Sequence, residues 1–264
     1  MITTASLAPA ERRRGAPVTL RRDGDVARIE LDDGRGNALG RATLAELGDA
    51  VAEASSADAV LLVGRKRIFC GGLDLDEVLP LPREDLLELL DVLYRTRRAL
   101  FALPRPLVVA VAGSAIGAGA ALLCCGDARL GARDAGLVGF PEVGLGVPLP
   151  SSGLQICKAT FSQEITARVL LFGESFGRDE ALAMGFFHRL VEPDSLLEDA
   201  ERTARAAAGI STASRSIKAA LRREALQRMD EERAESHEAF ADAWTSPAAQ
   251  ARIAGVLKSL GRSR

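Results

Sequence analysis

Twice along this chain a short apolar run ends in a cluster of glycines. Ala59 to Val63 leads into Gly64-Arg65-Lys66-Arg67-Ile68-Phe69-Cys70-Gly71-Gly72-Leu73-Asp74, and Leu107 to Ala112 leads into Gly113-Ser114-Ala115-Ile116-Gly117-Ala118-Gly119. Runs of that length and β-branched content read as buried strands, so each cluster marks a strand-to-loop turn in an α/β core. Backbone N–H groups can act on a ligand only where no side chain crowds them, and glycines leave that room. The second cluster opens into Ala120 to Cys125, which reads as a helix. A helix start presents unpaired N–H groups and the positive end of its dipole. Taken singly, either cluster serves turns and close packing equally well.

The rest of the pattern agrees with an α/β core. Val18 to Arg22 and Val26 to Leu31 read as strands joined at Asp23-Gly24, a pair that favours a tight hairpin. Thr43, Leu44, Leu47, Val51 and Ala54 recur at helical spacing and predict a helix from Arg41 to Ala54. A second helix is expected from Glu84 to Ala102, stopped by Pro104 and Pro106. From about Leu196 strand signals vanish. Glu198 to Ala208, Ser214 to Gln227, Glu231 to Trp244 and Ala248 to Leu260 all read as helices. The expected division is a polar tail over residues 1–16, an α/β core over 17–195 and a helical region over 196–264 that covers the core or meets other subunits.

Composition removes several classes of function. With 34 basic and 36 acidic side chains the formal charge is −2, which argues against a grip on nucleic acid or a basic membrane arm. The uncharged run from Leu107 to Gly126 has the length of a membrane span, but five glycines or serines and a β-branched start mark it as core. The four cysteines, Cys70, Cys124, Cys125 and Cys157, have neither zinc-knuckle nor redox spacing and are expected to be reduced thiols of a cytoplasmic protein. No metal cluster is expected. His188 and His237 are expected to be structural or surface residues, and Trp244 to anchor the helical region against the core or a neighbouring subunit.

Two familiar chemistries fit fragments of the chain. Gly113 to Gly119 matches the G-x-x-x-G-x-G of short-chain dehydrogenases, yet the sole tyrosine, Tyr94, has Arg98 where those enzymes need a lysine. Gly173-Glu174-Ser175-Phe176-Gly177 matches a nucleophile elbow, with Asp194 and His237 downstream in serine-hydrolase order. That second match leaves both glycine clusters unexplained, and its flank continues a helix where a strand is required.

A third reading takes in both clusters. Phe69-Cys70-Gly71-Gly72-Leu73-Asp74, Ala112 to Gly119, Gly126-Asp127-Ala128-Arg129 and Phe140-Pro141-Glu142-Val143-Gly144-Leu145-Gly146 follow one another in a set order. Together with Pro104 to Ala110 and Asp179 to Phe186, they resemble the enoyl-CoA hydratase/isomerase, or crotonase, family from about Val18 to Val191. The resemblance implies a crotonase-like α/β fold, a spiral of ββα units with a C-terminal helical region. It also implies an acyl-CoA substrate and an oxyanion hole for the thioester enolate, formed by the backbone N–H groups of Leu73 and Ala118. Coenzyme A enters as part of the substrate, with no separate cofactor. Arg35, Ala38, Gly71, Gly72, Asp74 and Gly117 fall at its substrate-binding positions. Arg65, Lys66 and Arg67 could pair with its phosphates. A homotrimer or dimer of trimers is implied as well.

The chain departs from the family's hydratases where the chemistry is decided. One of their two glutamates is replaced by Ala121, and the other is kept as Glu142. The segment Gly146 to Gly153 lacks their glycine pair. Hydration asks for a base and an acid, whereas moving a double bond from position 3 to position 2 needs one carboxylate that removes a proton and returns it. Isomerisation is therefore the expected reaction, with Val138, Phe140, Val143 and Leu145 expected to raise the Glu142 pKa. Hydration, decarboxylation, thioester hydrolysis and non-catalytic acyl-CoA binding are the alternatives. Leu73, larger than the alanine often found there, is expected to narrow the acyl site.

Overall fold

The computed structural model describes residues 16–210, 213–259 and 261. The expected polar tail, except for residue 16, and the Leu260 end of the last expected helix lie outside them.

Val18–Asp23 (β1) and Val26–Leu31 (β2) form the expected hairpin, with Asp23 opposite Val26. Then come Arg41–Ala54 (α1), Ala59–Val63 (β3), Ile68–Cys70 (β4), Leu75–Val78 (α2), Arg83–Phe101 (α3), Leu107–Val111 (β5), Ser114–Ile116 (β6) and Ala118–Cys124 (α4). They are followed by Ala128–Ala132 (β7), Val138–Gly139 (β8), Glu142–Leu145 (α5), Ser151–Thr160 (α6), Gln163–Leu171 (α7), Ser175–Phe176 (β9), Arg178–Met184 (α8) and Arg189–Val191 (β10). Leu196–Ala208 (α9), Ala213–Glu231 (α10), Arg233–Trp244 (α11) and Pro247–Ser259 (α12) complete the described chain. The helix expected from Glu84 is α3, displaced by one residue at each end.

Two sheets organise these elements. The larger has the order β1-β2-β3-β5-β7-β10 and is parallel except for the hairpin, and the smaller has the order β4-β6-β8-β9, with only β8 and β9 antiparallel. A strand buried on both faces needs apolar residues at every position, which is why Ala59 to Val63 and Leu107 to Val111 read as unbroken runs. On one face Val60, Leu62, Val109 and Val111 join the main core, which includes residues of α1, α3 and α4. On the other, Ala59, Leu61, Val108 and Ala110 meet Leu196, Ala200 and Ala204 of α9. The first C-terminal helix thus closes one side of the sheet, while α10 and α11 pack on α6 and α3.

The chain passes repeatedly between the sheets. β3, β5 and β7 lie in the large sheet, and each is followed by a short strand, β4, β6 or β8, in the small one and then by a helix. This is the expected spiral of ββα units. Two glycines make the crossings possible by their lack of bulk. A methyl group on Gly64 would lie 2.6 Å from the Phe69 Cα, and one on Gly113 would lie 2.1 Å from the Arg67 carbonyl carbon.

Candidate active site

β4, β6 and β8 are parallel neighbours, paired Cys70 to Ala115 and Ile116 to Gly139. Adjacent strands lie about 4.8 Å apart, so the residues just beyond their ends are brought together by the sheet itself. Leu73 follows β4, Ala118 follows β6 and Glu142 follows β8. All three line one cavity of about 490 Å³, a volume suited to a small-molecule ligand.

Among the described residues the two expected donors are free of acceptors. A parallel bridge pairs Leu39 with Leu73: the Leu39 N–H donates to Gly72 O, and the Asp74 N–H to Leu39 O. That pattern leaves the Leu73 N–H without a backbone acceptor. Ala118 opens α4, whose first closing bond runs from the Ala121 N–H to Gly117 O, so its own N–H has no carbonyl to meet within the helix. Gly72 and Gly117 hold the two loops in conformations with φ of 92° and 55°, which side-chain-bearing residues rarely adopt. They also bring them close, since a methyl on Gly72 would stand 3.6 Å from the Ala118 nitrogen.

Glu142 begins α5 and lies over this pair. A methyl on Gly117 would stand 2.9 Å from its Oε1. Its Oε2 is fully buried without a hydrogen-bond partner. Burial pushes the carboxyl up to about 7, opposed by a backbone hydrogen bond and by the positive charge of Arg97. The apolar wall differs from the one expected. Val143 faces outward, 46% exposed, and Val138 and Phe140 belong to the core. Leu145 is joined on the cavity wall by Leu90, Leu93, Ile116, Phe240 and Trp244. Glu142 is the only carboxylate on that wall among the described residues, and Ala121 is buried within α4 away from it.

The remaining expected positions divide. Ala38, Gly71, Gly72 and Gly117 line the cavity, and the Leu73 side chain adds to its wall. Asp74 does not: its carboxylate caps α2, accepting from the Asp76 N–H at 3.1 Å and the Glu77 N–H at 3.4 Å. Arg35 also stands off the cavity wall, in an exposed loop where its carbonyl accepts from Arg65 at 3.1 Å. Arg65 is further drawn to Asp32. Trp244 is buried against Phe240 with ring centroids 5.3 Å apart, an anchor as expected that also forms part of the cavity. His188 accepts from the Arg129 N–H at 3.2 Å, and His237 packs edge-on against Tyr94. His188 is exposed and His237 is buried, and neither lines the cavity. Ser175 sits exposed in β9, whereas His237 is buried in α11. Among the described residues only Asn37 combines a side chain with positive φ, so Ser175 lacks the strained turn of a nucleophile elbow.

Two residues escaped the sequence reading. Asn37 is buried, and its Nδ2 donates to Leu31 O at 2.8 Å and Phe69 O at 3.0 Å, tying the loop that carries Ala38 to β4. Arg97 is 4% exposed and stands on the cavity wall. Burial lowers its pKa, against the field of Glu142. Its signal was present in the spacing: Arg97 interrupts the apolar stripe Leu86, Leu90, Leu93, Leu100 of α3.

A family model for enoyl-CoA hydratase/isomerase matches residues 21–256. The chain belongs to the enoyl-CoA hydratase/isomerase family. Among curated members it is 30% identical to a crotonyl-CoA hydratase of Syntrophomonas wolfei over 64% of this chain and 66% of that one. The chain spans 56% to 66% of the length of the first curated relatives it matches. A solved enoyl-CoA isomerase of Mycobacterium tuberculosis is 30% identical, with a TM-score of 0.78 over 86% of this chain and 98% of that one. An enoyl-CoA hydratase of Mycobacterium marinum is also 30% identical, with a TM-score of 0.79 over 85% and 99%. These relatives carry both reaction names at equal identity, so choosing between them falls to the cavity.

Proposed function

We propose that this member of the enoyl-CoA hydratase/isomerase family moves the double bond of a 3-enoyl-CoA to position 2, with Glu142 as its single acid and base. One observation carries the reading: Glu142 is the sole carboxylate on the cavity wall among the described residues. The ionised carboxylate takes a proton from C2, and the electron pair moves onto the thioester oxygen to give a dienolate. The N–H groups of Leu73 and Ala118 hold that oxygen. Such donors contribute about a hundred- to a thousandfold each, because they are already oriented when the charge develops. The protonated Glu142 then delivers the proton to C4, and the thioester carbonyl reforms. A pKa of about 7 suits both halves of the cycle.

In the same reading the CoA phosphates pair with Arg35, Lys66 and Arg67, while Arg65 is drawn to Asp32. Self-association through the C-terminal region is supported by Ile217 and Leu221 of α10, 60% and 77% exposed. No helix among the described residues is long and apolar enough to cross a membrane. A cytoplasmic setting is part of the proposal.

The test uses two substrates. The protein with 3-enoyl-CoA should yield 2-enoyl-CoA, and with 2-enoyl-CoA in water it should yield little 3-hydroxyacyl-CoA. Glu142→Gln should abolish isomerisation while CoA thioesters still bind. Hydration as the sole activity, or full activity in that variant, overturns the reading.

A further inference from the structure

Arg97 and Arg129 are both buried arginines, 4% and 8% exposed, and they are used differently. Arg129 gives its Nε and both terminal nitrogens to the carbonyls of Phe186, Gly126 and Gly185, at 2.9, 2.9 and 2.8 Å. That is a structural arginine whose donors are spent on backbone. Among the described residues Arg97 donates only to Ser152 Oγ, at 3.5 Å, and its buried Nε has no partner. No ion pair within 4.0 Å reaches it among the described residues, although a desolvated cation without an anion is costly and arginine cannot shed its charge to escape. Neighbouring arginines of α3 show the contrast, since Arg95 pairs with Asp91 and Arg98 with Asp230.

Arg97 stands on the cavity wall. Arg97 follows Leu90 by two turns and Leu93 by one along α3, and all three line the wall. Glu142 shares that wall, but its Oε1 lies over Gly117 and its charge is needed there. We propose that Arg97 is a specificity residue that receives a carboxylate at the far end of the acyl group, so that the preferred substrates are ω-carboxylated acyl-CoA thioesters with short chains. The inference rests on the acyl-CoA reading of the cavity and adds the class of acyl group. A guanidinium fork matches a carboxylate in two bonds, and in an apolar wall a bonded anion is strongly preferred over a methyl group. A purely hydrocarbon tail would leave the cation as it now stands, desolvated and unpaired.

The test is equilibrium binding of saturated CoA thioesters, paired by chain length from four to eight carbons, one ending in methyl and the other in carboxylate. At one length or more, the carboxylated member should bind at least tenfold more tightly. In Arg97→Met that preference should vanish or reverse, and in Arg97→Lys part of it should return. Equal or weaker binding of the carboxylated member at every length overturns the inference with no variant needed, and so does a preference that survives in Arg97→Met. Turnover of 3-enoyl-CoA is measured separately. Isomerisation without a carboxylate preference removes the subsite and keeps the reaction; a preference without isomerisation does the reverse.

Discussion

Gly117 and Glu142 share one small volume: a methyl group on the glycine would stand 2.9 Å from Glu142 Oε1 and 3.6 Å from its Cδ. The glycine therefore has two duties. Its φ of 55° turns the chain so that the Ala118 N–H faces the cavity, and its missing side chain lets the carboxylate approach.

Gly117→Ala offends both. Alanine at that φ is strained by about 1–2 kcal/mol, and its methyl displaces the carboxylate. Since a positioned acid/base contributes about 10²- to 10⁴-fold, kcat should fall by about a hundredfold while KM shifts less than threefold. Steady-state kinetics on 3-enoyl-CoA decides it. An unchanged kcat means that the proton transfer does not pass through Glu142 as placed here.

Asp74→Ala separates a binding role from a capping one. Among the described residues the carboxylate bonds only the Asp76 and Glu77 N–H groups, at the start of α2. Losing an N-cap costs about 1 kcal/mol, which lowers Tm by about 2–4 °C in a chain of this size. KM for the thioester should stay within about threefold, by the same geometry that keeps Asp74 off the cavity wall. A tenfold rise in KM with unchanged Tm would return Asp74 to the binding site.

Four strands of the large sheet, β1, β2, β3 and β5, and the long helices were legible because their signals are long, whereas β7 and β10 were not read as strands. β3 and β5 are unbroken apolar runs, and α1 repeats its buried face over several turns. The small sheet was not, since β4, β6, β8 and β9 have two or three residues each, too few to show any period. Yet it is this sheet that brings Leu73, Ala118 and Glu142 together. Their roles came from motif resemblance, and their convergence came only from the parallel order of the strands. Arg97 was hidden for another reason. Beside Arg95 and Arg98 it reads as one more charge on a solvated helix unless its place in the stripe Leu86, Leu90, Leu93, Leu100 is followed, and the packing of α11 and α6 on α3 shows that its side of the helix is enclosed.

Arg129→Met should be among the most destabilising single changes. It strands two buried carbonyls and one partly buried one that the guanidinium now satisfies. Each buried acceptor left alone costs about 1–3 kcal/mol, so a loss of about 3–5 kcal/mol and a Tm lower by about 10 °C are expected. Arg97→Met should cost far less, because it removes a buried charge with a single long contact. Parallel melts of the two variants check this. Equal losses would mean that Arg97 is held by bonds like those of Arg129, and would weaken its assignment to the substrate.

Glu142 ties activity and stability to pH in opposite senses. Its carboxyl is raised from 4.5 to about 7 by burial, and the ionised form is the base. The rate should therefore fall on acidification through about pH 7, and kcat against pH should show an apparent pKa near that value. For stability the sign reverses. Between pH 4.5 and about 7 the folded protein holds a proton that the unfolded chain has lost, so the contribution of Glu142 is greatest below 4.5 and declines as pH rises through about 7. At 1.36 kcal/mol per unit the full decline is at most about 3 kcal/mol. Glu142→Gln removes this dependence. The variant should melt higher than the wild type at pH 8 and close to it at pH 5, although it has lost the reaction. If the gap between the two melting curves is the same at both pH values, the carboxyl is not buried as described, and the acid limb of kcat belongs to another group.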